Sequence, residues 1–208
     1  MQIRTYLLID QMQPQYGALT GKTMQGEIPV EGMAEIYIET APASDIYKVM
    51  DIALKTTDVR AGALAVEREY GSLEIHSRHQ ESVLEAGRRA LEALGLTESD
   101  RLKPEILSSL LISNVDAFQA QLINRTSFGG LLLAGQTLCV LEVMPAAYIV
   151  LAANEAEKAA NITLVNYTPR GRSGRLYFSG TDAEVRQARD AAVKAIEALP
   201  GRKPTKGS

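Results

Sequence analysis

Aromatic residues and cysteine are scarce in this chain. Its 208 residues include no tryptophan, three phenylalanines and one cysteine. Few aromatic rings are therefore available to stack on bases or sugars, which argues against a protein that binds nucleic acids or carbohydrates. The single Cys139 cannot form an intrachain disulfide. Because it lies in an apolar run, we expect it to be a buried thiol in a reducing compartment.

The chain also lacks an excess of either charge and any long apolar run. Its formal net charge is -3, and 46% hydrophobic with 23% charged residues is the composition of an ordinary globular protein. We expect no nucleic-acid partner. No stretch approaches the roughly 18 apolar residues of a membrane span, and the first residues show no signal pattern. These absences predict a cytoplasmic protein with no membrane partner.

The main positive feature of the sequence is an internal repeat. A shift of 103 residues aligns residues 7–9 with 110–112 and keeps its register without a gap to Leu73 and Leu176. About fourteen identities in about seventy positions is roughly three times the chance level. The shared residues are mainly core apolar residues and turn glycines, and they include Gly26/Gly129, Gly32/Gly135, Glu39/Glu142, Pro42/Pro145, Lys55/Lys158 and Gly71/Gly174.

Each repeat predicts the same order of elements: a strand, a glycine-containing stretch, a strand, a helix, a hairpin and a second helix. In the first repeat these elements cover residues 3–10, 34–40, 42–55, 59–66 with 72–77 around a turn at 67–71, and 83–94. In the second they cover 107–113, 138–143, 146–160, 162–168 with 176–179, and 183–199. Residues 95–104 read as a linker, so we expect domains at 1–103 and 104–208, with an unstructured tail over 201–208.

The order of elements resembles the bacterial microcompartment shell domain. Residues 51–55 and 154–158, which close the first helix of each repeat, carry this resemblance, and a strand before the helix unit is similar to the circularly permuted tandem version. Residues 67–71, 122–125 and 152–158 resemble its gated-pore subgroup, known from carboxysomes. The resemblance covers residues 3–200. It implies an α+β fold of two tandem circularly permuted microcompartment domains, each a ferredoxin-like α/β sandwich.

The resemblance also implies a function without catalysis. In this family three tandem chains form a pseudohexameric tile, and in this subgroup two trimers stack face to face. We therefore expect a homotrimeric structural protein in the shell of a cytoplasmic microcompartment, either a carboxysome or a metabolosome. It should contact other hexameric shell proteins at its edges and pass metabolites through a gated central pore. No catalytic residue, cofactor or metal site is expected.

Two hairpin turns are the predicted pore lining. The resemblance assigns this position to Glu67, Arg68, Glu69, Tyr70 and Gly71 in the first repeat, and to Arg170, Gly171, Arg172, Ser173 and Gly174 in the second. Members of the subgroup usually carry an aromatic residue where Ser173 stands, so the second turn is unusually polar. Because the arginines of the two turns outnumber Glu67 and Glu69, we expect a preference for anionic small metabolites.

Four residues are expected at the edge of the tile: Lys55, Lys158, Asn124 and Arg125. Taken without the resemblance, the two lysines are ordinary helix-end cations, and the charged turn at 67–69 is a solvated hairpin tip. Glu39 and Glu142 occupy the same position in both repeats, which favours a structural role. His76 and His79 have no third ligand nearby, and we expect both to be exposed.

Two other functions are compatible with a doubled α+β chain. One is a trimeric small-molecule sensor of ferredoxin-like fold, with its ligand between subunits. The other is an enzyme whose site lies at a subunit interface. Sheets or stacked discs in electron micrographs would favour the shell tile, whereas isolated trimers would favour the sensor. Catalytic turnover that survives purification would favour the enzyme.

Overall fold

The computed structural model describes residues 1–203 and divides the chain into two compact units. The first unit contains Met1–Met12, Thr23–Lys103 and the tail that begins at Leu199. The second contains Pro104–Ala198 together with Gln13–Lys22, the segment that holds helix α1 (Pro14–Gly21). A helix that stands early in the sequence therefore belongs to the second unit.

The first unit is a four-stranded antiparallel sheet with two helices on one face. Its strands are β1 (Gln2–Ile9), β2 (Ala34–Ala41), β3 (Arg60–Glu67) and β4 (Tyr70–Ser77), in the spatial order β1-β2-β4-β3. Its helices are α2 (Ile46–Thr56), which follows a short 3-10 turn, and α3 (Gln80–Ala93). Alternate strand residues such as Ile36, Ile38, Leu73 and Ile75 point to these helices and form the core.

The second unit repeats this architecture. Its strands are β5 (Glu105–Ile112), β6 (Thr137–Met144), β7 (Thr163–Thr168) and β8 (Gly174–Gly180), in the order β5-β6-β8-β7. Its other helices are α4 (Ala117–Asn124), α5 (Ile149–Ala159) and α6 (Asp182–Glu197). Cys139, Leu141, Leu176 and Phe178 are buried at the positions of the four core residues named above, each shifted by 103. The duplication read from the sequence is therefore a duplication of the fold.

Two helices were not predicted from the sequence. Helices α1 and α4 lie in the glycine-containing stretches that follow β1 and β5, for which the sequence analysis predicted no helix. Both helices are only 8 residues long, and α1 contains Gly17 and Thr20, which have low helix propensity. The available signals were weak ones: Pro14 at the first helical turn and Asp116 as an N-cap.

Residues 95–104 form more than a polar linker. A 3-10 turn at Glu98–Asp100 is held by a capping box between Thr97 and Asp100. Arg101 is buried, and its guanidinium donates to the backbone oxygens of Tyr6 and Pro200, each at 2.9 Å. These bonds tie the segment into the first unit.

The prediction of an unstructured tail over 201–208 is wrong at Arg202, which pairs with Leu102. Arg202 N–H donates to Arg101 O, and Lys103 N–H donates to Arg202 O, both at 2.9 Å, which makes a parallel bridge. The rest of that prediction, residues 204–208, lies outside the described residues. No helix within residues 1–203 is long and apolar enough to cross a lipid bilayer.

Candidate functional site

The hairpin turn of the first unit is tighter than the sequence predicted. Glu67 pairs with Tyr70 across the hairpin, so only Arg68 and Glu69 form the turn rather than all of residues 67–71. Arg68 adopts a φ of 31°, a left-handed conformation that glycine usually supplies at this place in a two-residue turn. The side chains of Glu67, Arg68 and Glu69 are exposed. The tip therefore presents three charged groups to solvent.

The base of this turn is held by a buried ion pair. Arg4 Nε donates to Glu39 Oε1, and the Arg4 guanidinium lies 3.6 Å from the centroid of the Tyr70 ring. Arg4 sits at a β-bulge, between the pairs formed by Ile3 and Thr5, and an extra residue of this kind re-aims its side chain. Burial is the main reason why the pKa of Tyr70 is raised from its ordinary value.

The hairpin turn of the second unit is longer and is held in a similar place. Residues 169–173 connect β7 to β8, and Gly171 adopts a φ of 88°. Ser173 Oγ donates to Glu142 Oε1 at 2.5 Å, and Arg175 Nη2 lies 3.4 Å from the same oxygen. The pKa of Glu142 is lowered, mainly by the hydrogen bond from Ser173 and to a smaller extent by the contact with Arg175.

The two anchors occupy equivalent positions. Glu39 and Glu142 differ by 103 in number, as do Tyr70 and Ser173, the residues that precede Gly71 and Gly174. The structural role that the sequence predicted for the two glutamates agrees with these contacts. Arg4 was missed as a partner, because a lone arginine in a predicted strand gives no sign that a bulge will turn it toward Glu39.

Glycine at the base of each turn is required by a close approach of the backbone. A Cβ atom on Gly71 would lie 2.1 Å from Ala43 O, and one on Gly174 would lie 2.1 Å from Ala146 O. Real Cβ atoms do not approach an oxygen this closely. The glycine pair found in the repeat thus lets each hairpin pack against the start of the helix segment that precedes it in the chain.

The charge at the two tips is positive on balance. Arg172 is exposed and Arg170 is half-buried, and together with Arg68 they outnumber Glu67 and Glu69. Arg175 is exposed as well, but it is paired with Glu142. The structure thus places all ten predicted pore residues on two hairpins, five in each unit. Tyr70 and Ser173 anchor these hairpins, and Gly71 and Gly174 allow close packing at their base.

The four predicted edge residues differ in their surroundings. Lys55 and Lys158 lie in the last turns of α2 and α5, and each pairs with a carboxylate of its own helix, Asp51 at 2.6 Å and Glu155 at 3.3 Å. Exposed pairs of this kind are weak, so both lysines remain available to a partner. Arg125 is exposed. Asn124 instead exchanges two hydrogen bonds with the backbone of Leu132, at 2.8 and 2.9 Å, and fixes the loop after α4.

The expectation that both histidines are exposed is wrong for His76. His79 is exposed, but His76 is buried and its Nδ1 lies 2.9 Å from Glu74 Oε1. Strand β4 is an inner strand between β2 and β3, so a polar residue near its end is still covered. Burial raises the pKa of Glu74, and the contact with His76 opposes that rise.

No group of three or more His, Cys, Asp or Glu side chains within residues 1–203 is arranged to hold a metal ion. Cys139 is buried, as predicted, and burial raises its pKa to about 12, so the thiol does not ionise near neutral pH.

Comparisons with known proteins identify the family. The family model described as the CsoS1D N-terminal domain matches residues 3–100, and that of the BMC domain matches residues 137–202. The carboxysome shell protein CcmP of Synechococcus elongatus is 49% identical, over 97% of this chain and 95% of that protein. The carboxysome shell protein CsoS1D of Hydrogenovibrio crunogenus is 42% identical, over 96% and 98%.

Two solved structures share the whole fold. The fused permuted hexameric shell protein MSM0275 from the RMM microcompartment has a TM-score of 0.94 and 45% identity, over 98% of this chain and 100% of that one. The double-ringed trimeric shell protein MSM0271 from the same microcompartment has a TM-score of 0.94 and 37% identity, over 98% and 99%.

These findings confirm the predicted fold class, the structural role in a shell and the location in a cytoplasmic microcompartment. All four of these relatives are shell proteins, and their similarity extends over nearly the whole of both chains. Both repeats are therefore accounted for, and the chain belongs to the family of tandem, circularly permuted bacterial microcompartment shell proteins.

Proposed function

We propose that the chain forms a homotrimeric, pseudohexagonal tile with a gated central pore, and that it catalyses no reaction. The observation that carries this proposal is the pair of equivalent hairpin turns, each anchored at its base and exposed at its tip. Three chains of two repeats, closed into a ring, bring six such turns around one axis. One solved relative is described as hexameric and another as double ringed and trimeric, which supports a ring and the stacking of two trimers.

Glu67 and Arg68 are the gate in this proposal. When the tips point inward, Arg68 pairs with a carboxylate of a neighbouring subunit; when they point outward, both side chains are solvated. One such pair contributes about 1 to 4 kcal/mol, depending on how dry its surroundings are. Three pairs then contribute about 3 to 12 kcal/mol, a range that includes the roughly 5.5 kcal/mol that converts a 1:99 population into its inverse. Inverting the gate population would therefore take a ligand that binds one state about 10⁴-fold more tightly than the other.

Arg170 and Arg172 set the selectivity of the pore. Three chains contribute six of these guanidinium groups around the mouth, in addition to Arg68. A ring of like charges raises the local concentration of ions of opposite sign. The pore should therefore favour anionic metabolites such as phosphorylated sugars or organic acids.

Removing Arg170 and Arg172 should weaken anion binding. We expect wild-type protein to bind a tricarboxylate more tightly than a polyamine of similar size in calorimetric titrations at low salt. The Arg170→Ser/Arg172→Ser variant should bind the tricarboxylate about tenfold more weakly, because the pore loses most of its cationic groups. The matched control, Arg186→Ser/Arg189→Ser, removes two arginines of α6 and should leave binding unchanged. Tighter binding of the polyamine to wild-type protein would contradict the proposed selectivity.

Lys55 and Lys158 are proposed to contact neighbouring tiles, together with Arg125. Each lysine lies in the last turn of the equivalent helix of its unit and forms a weak ion pair within that helix. In a pseudohexagonal tile, both would recur along the edges that meet other hexameric shell proteins. The hydrogen bonds of Asn124 make it a support of the loop at that edge.

Reversing both lysines should abolish sheets and leave trimers. In electron micrographs of concentrated protein we expect wild type to form sheets, tubes or stacked six-sided discs. Lys55→Glu/Lys158→Glu should form only isolated trimers, because a carboxylate then stands where the lysine is proposed to contact the neighbouring tile. The matched control, Lys48→Glu/Lys194→Glu, changes the net charge equally at exposed sites on α2 and α6 and should still form sheets. If the Lys55→Glu/Lys158→Glu variant still formed sheets, the proposed role of these lysines as edge contacts would be contradicted. Wild-type protein without any ordered assembly would argue against the tile.

A further inference from the structure

A cleft of about 490 Å³ opens in the first unit between helix α3 and the segment that follows it. Leu84, Leu91 and Leu96 give the cleft apolar walls, and Tyr6 of β1 lines it from the side of the core. A volume of this size lies within the range of small-molecule sites. None of the ten predicted pore residues lines it. The cleft is therefore a candidate binding site that the proposed pore does not use.

The segment that forms one wall of the cleft is held firmly. Leu96 N–H donates to Leu91 O at 2.9 Å, and a capping box fixes the 3-10 turn that follows. Arg101 donates to Tyr6 O at 2.9 Å and to Glu98 Oε1 at 2.6 Å, which ties the end of this turn to β1. A wall that is fixed before binding loses little conformational entropy when a ligand enters.

The Tyr6 hydroxyl is a buried polar group that no protein group satisfies. Tyr6 is 6% exposed, and within residues 1–203 its Oη forms no hydrogen bond. A hydroxyl group in apolar surroundings costs free energy unless water or a ligand bonds to it. Because Tyr6 lines the cleft, such a partner reaches the hydroxyl oxygen from there.

This hydroxyl remains protonated at neutral pH. Burial raises the pKa of Tyr6 to about 12; the negative charge of Glu98 adds to the rise, and the positive charge of Arg101 opposes it. The neutral phenol can donate one hydrogen bond and accept another. Because its surroundings are apolar, a neutral hydroxyl group of a ligand suits this position better than a charged group does.

Glycine at position 87 makes room for the Tyr6 ring beside α3. A Cβ atom on Gly87 would lie 2.4 Å from Tyr6 Oη and 2.5 Å from Ile36 Cδ1. Both distances are shorter than real Cβ contacts. Any side chain at position 87 would therefore push the Tyr6 hydroxyl out of its place in the cleft.

The second repeat does not contain this pair of residues. The connection before α6 is one residue shorter than that before α3, so a shift of 102 aligns the buried positions of these helices: Val83 with Val185, Ala86 with Ala188 and Ala90 with Ala192. This shift places Arg189 at the position of Gly87, and the shift of 103 places Ser109 at that of Tyr6. The shared fold therefore forms without a tyrosine beside a glycine, and the pair is a feature of the first repeat.

Carboxylates dominate the rim of the cleft. One cation, Arg88, lines it together with four carboxylates: Glu81, Glu85, Glu92 and Glu98. Arg88 is engaged by Glu85 at 2.6 Å and by Glu92. The last turn of α3, which bears the negative end of the helix dipole, borders the same cleft. A cation at the rim is therefore favoured over an anion.

Glu81 keeps the rim negative after the ion pairs are counted. Arg89 pairs with Glu85 at 2.8 Å. Arg101 pairs with Glu98 at 2.6 Å. Glu81 is exposed and forms no ion pair within the described part of the chain. Because exposed pairs are weak, the other rim carboxylates can also turn toward a ligand.

We propose that this cleft binds a small amphiphilic cation, a molecule with an apolar ring or chain, a neutral hydroxyl group and a protonated amine. The apolar part packs between Leu84, Leu91 and Leu96. The hydroxyl group exchanges a hydrogen bond with Tyr6 Oη, and the amine lies at the acidic rim. The site is built by the first unit alone and does not rest on the proposed tile.

Three probes of similar size test the parts of this proposal. Tyramine has the ring, the hydroxyl group and the amine; phenethylamine lacks the hydroxyl group; 3-(4-hydroxyphenyl)propionate carries a carboxylate instead of the amine. In ligand-observed NMR titrations of wild-type protein at low salt, tyramine should bind about fivefold more tightly than phenethylamine, because it satisfies the Tyr6 hydroxyl. The propionate should bind at least about tenfold more weakly than tyramine, because its charge meets the acidic rim. Equal or tighter binding of the propionate would overturn the proposal.

Tyr6→Phe tests the hydrogen bond separately. Tyramine should bind about fivefold more weakly to this variant, and phenethylamine should bind as it does to wild type, because it makes no bond to the hydroxyl. An unchanged ratio of the two affinities would contradict the assigned position of the ligand.

A change in the apolar wall tests whether the amines enter this cleft. Leu84→Arg introduces the residue that the second repeat has at the equivalent position, Arg186, and should abolish binding of both amines. Thermal unfolding shows whether this variant is folded. Leu84→Ala, which only shortens the wall, should weaken both amines about threefold and keeps the test valid if Leu84→Arg does not fold. Binding that neither substitution changes would place the amines elsewhere and overturn the proposal.

Neutralising the rim should weaken the binding of both amines. Glu81→Gln/Glu92→Gln should cost about fivefold, because the amine then lies beside fewer carboxylates. The matched control, Glu31→Gln/Glu197→Gln, removes two exposed carboxylates outside the cleft and should have no effect. Equal losses in the two variants would show that net charge, and not this rim, attracts the amines.

The outcomes are distinguishable from those that test the proposed function. Arg170→Ser/Arg172→Ser alters the pore and should bind both amines as wild type does; a loss there would place the site at the pore and overturn this inference. Wild-type protein that binds neither amine at any soluble concentration would also overturn it and leave the tile standing. A monomer that binds tyramine as expected would overturn the tile alone.

Discussion

Replacing Arg4 by methionine should lower the free energy of unfolding by about 3 to 5 kcal/mol, since it leaves a buried carboxylate without its cation. Arg4 is 2% exposed and Glu39 1%. The substitution also removes the guanidinium that lies on the Tyr70 ring at the base of the first turn. Urea unfolding followed by circular dichroism, at one fixed protein concentration, measures the change.

The second repeat provides a matched control for this prediction. Arg175 pairs with Glu142, the counterpart of Glu39, but the pair is exposed, and Arg175→Met should cost less than about 1 kcal/mol. In the first repeat, Arg4→Met/Glu39→Gln should be less destabilised than Arg4→Met alone, because no buried charge remains. A loss below about 1 kcal/mol for Arg4→Met would show that the ion pair does not hold this part of the fold.

Gly174→Ala should be nearly as costly, at about 2 to 3 kcal/mol, because strand β8 cannot accept a side chain at its first residue. The new Cβ would lie 2.1 Å from Ala146 O and 2.8 Å from Ile149 Cβ. Neither neighbour is the flexible end of a side chain, so the hairpin must move away from the start of α5. Gly71→Ala should behave alike, with Ala43 O at 2.1 Å.

The other end of the same strand supplies the comparison. Gly180 is the last residue of β8, and a Cβ there would lie 3.5 Å from its nearest neighbour, Glu184 Oε2. That is an ordinary contact, so Gly180→Ala should change the free energy of unfolding by less than about 1 kcal/mol. Similar losses for Gly174→Ala and Gly180→Ala in thermal or urea unfolding would rule out the close approach as the reason for glycine at position 174.

These two sets of contacts bear on how a gate would work. The residue before Gly71 and the residue before Gly174 are held, Tyr70 by Arg4 and Ser173 by Glu142, and each glycine is packed on the helix segment that precedes its hairpin. Glu67, Arg68, Glu69 and Arg172 are exposed, and Arg170 and Gly171 are half-buried. Movement on opening is therefore expected at the side chain of Glu67, at Arg68 and Glu69 and at residues 170–172, with the strand backbones unchanged.

The misjudged features share a physical cause. His76 was expected at the surface because it is polar and near the end of a strand, but β4 is an inner strand and His76 finds Glu74 beside it. Helix α1 was overlooked because its sequence forms a helix poorly by itself, and its first turn is capped by Glu157, which is 142 residues away. Partners so distant in sequence leave no local pattern.

The sequence alone determined the duplication, the order of the strands and of helices α2, α3, α5 and α6, the two hairpins and the shell family. These follow from local periodicity and from a spacing of 103 residues that persists because core and turn positions are constrained in the same way in both copies. Only the tertiary structure decided which unit helix α1 joins, that Arg4 turns toward Glu39, and that His76 is buried beside Glu74. Those features depend on contacts between residues far apart in the chain, and the energy of such contacts is set by burial and partner geometry, which no local pattern of residue types contains.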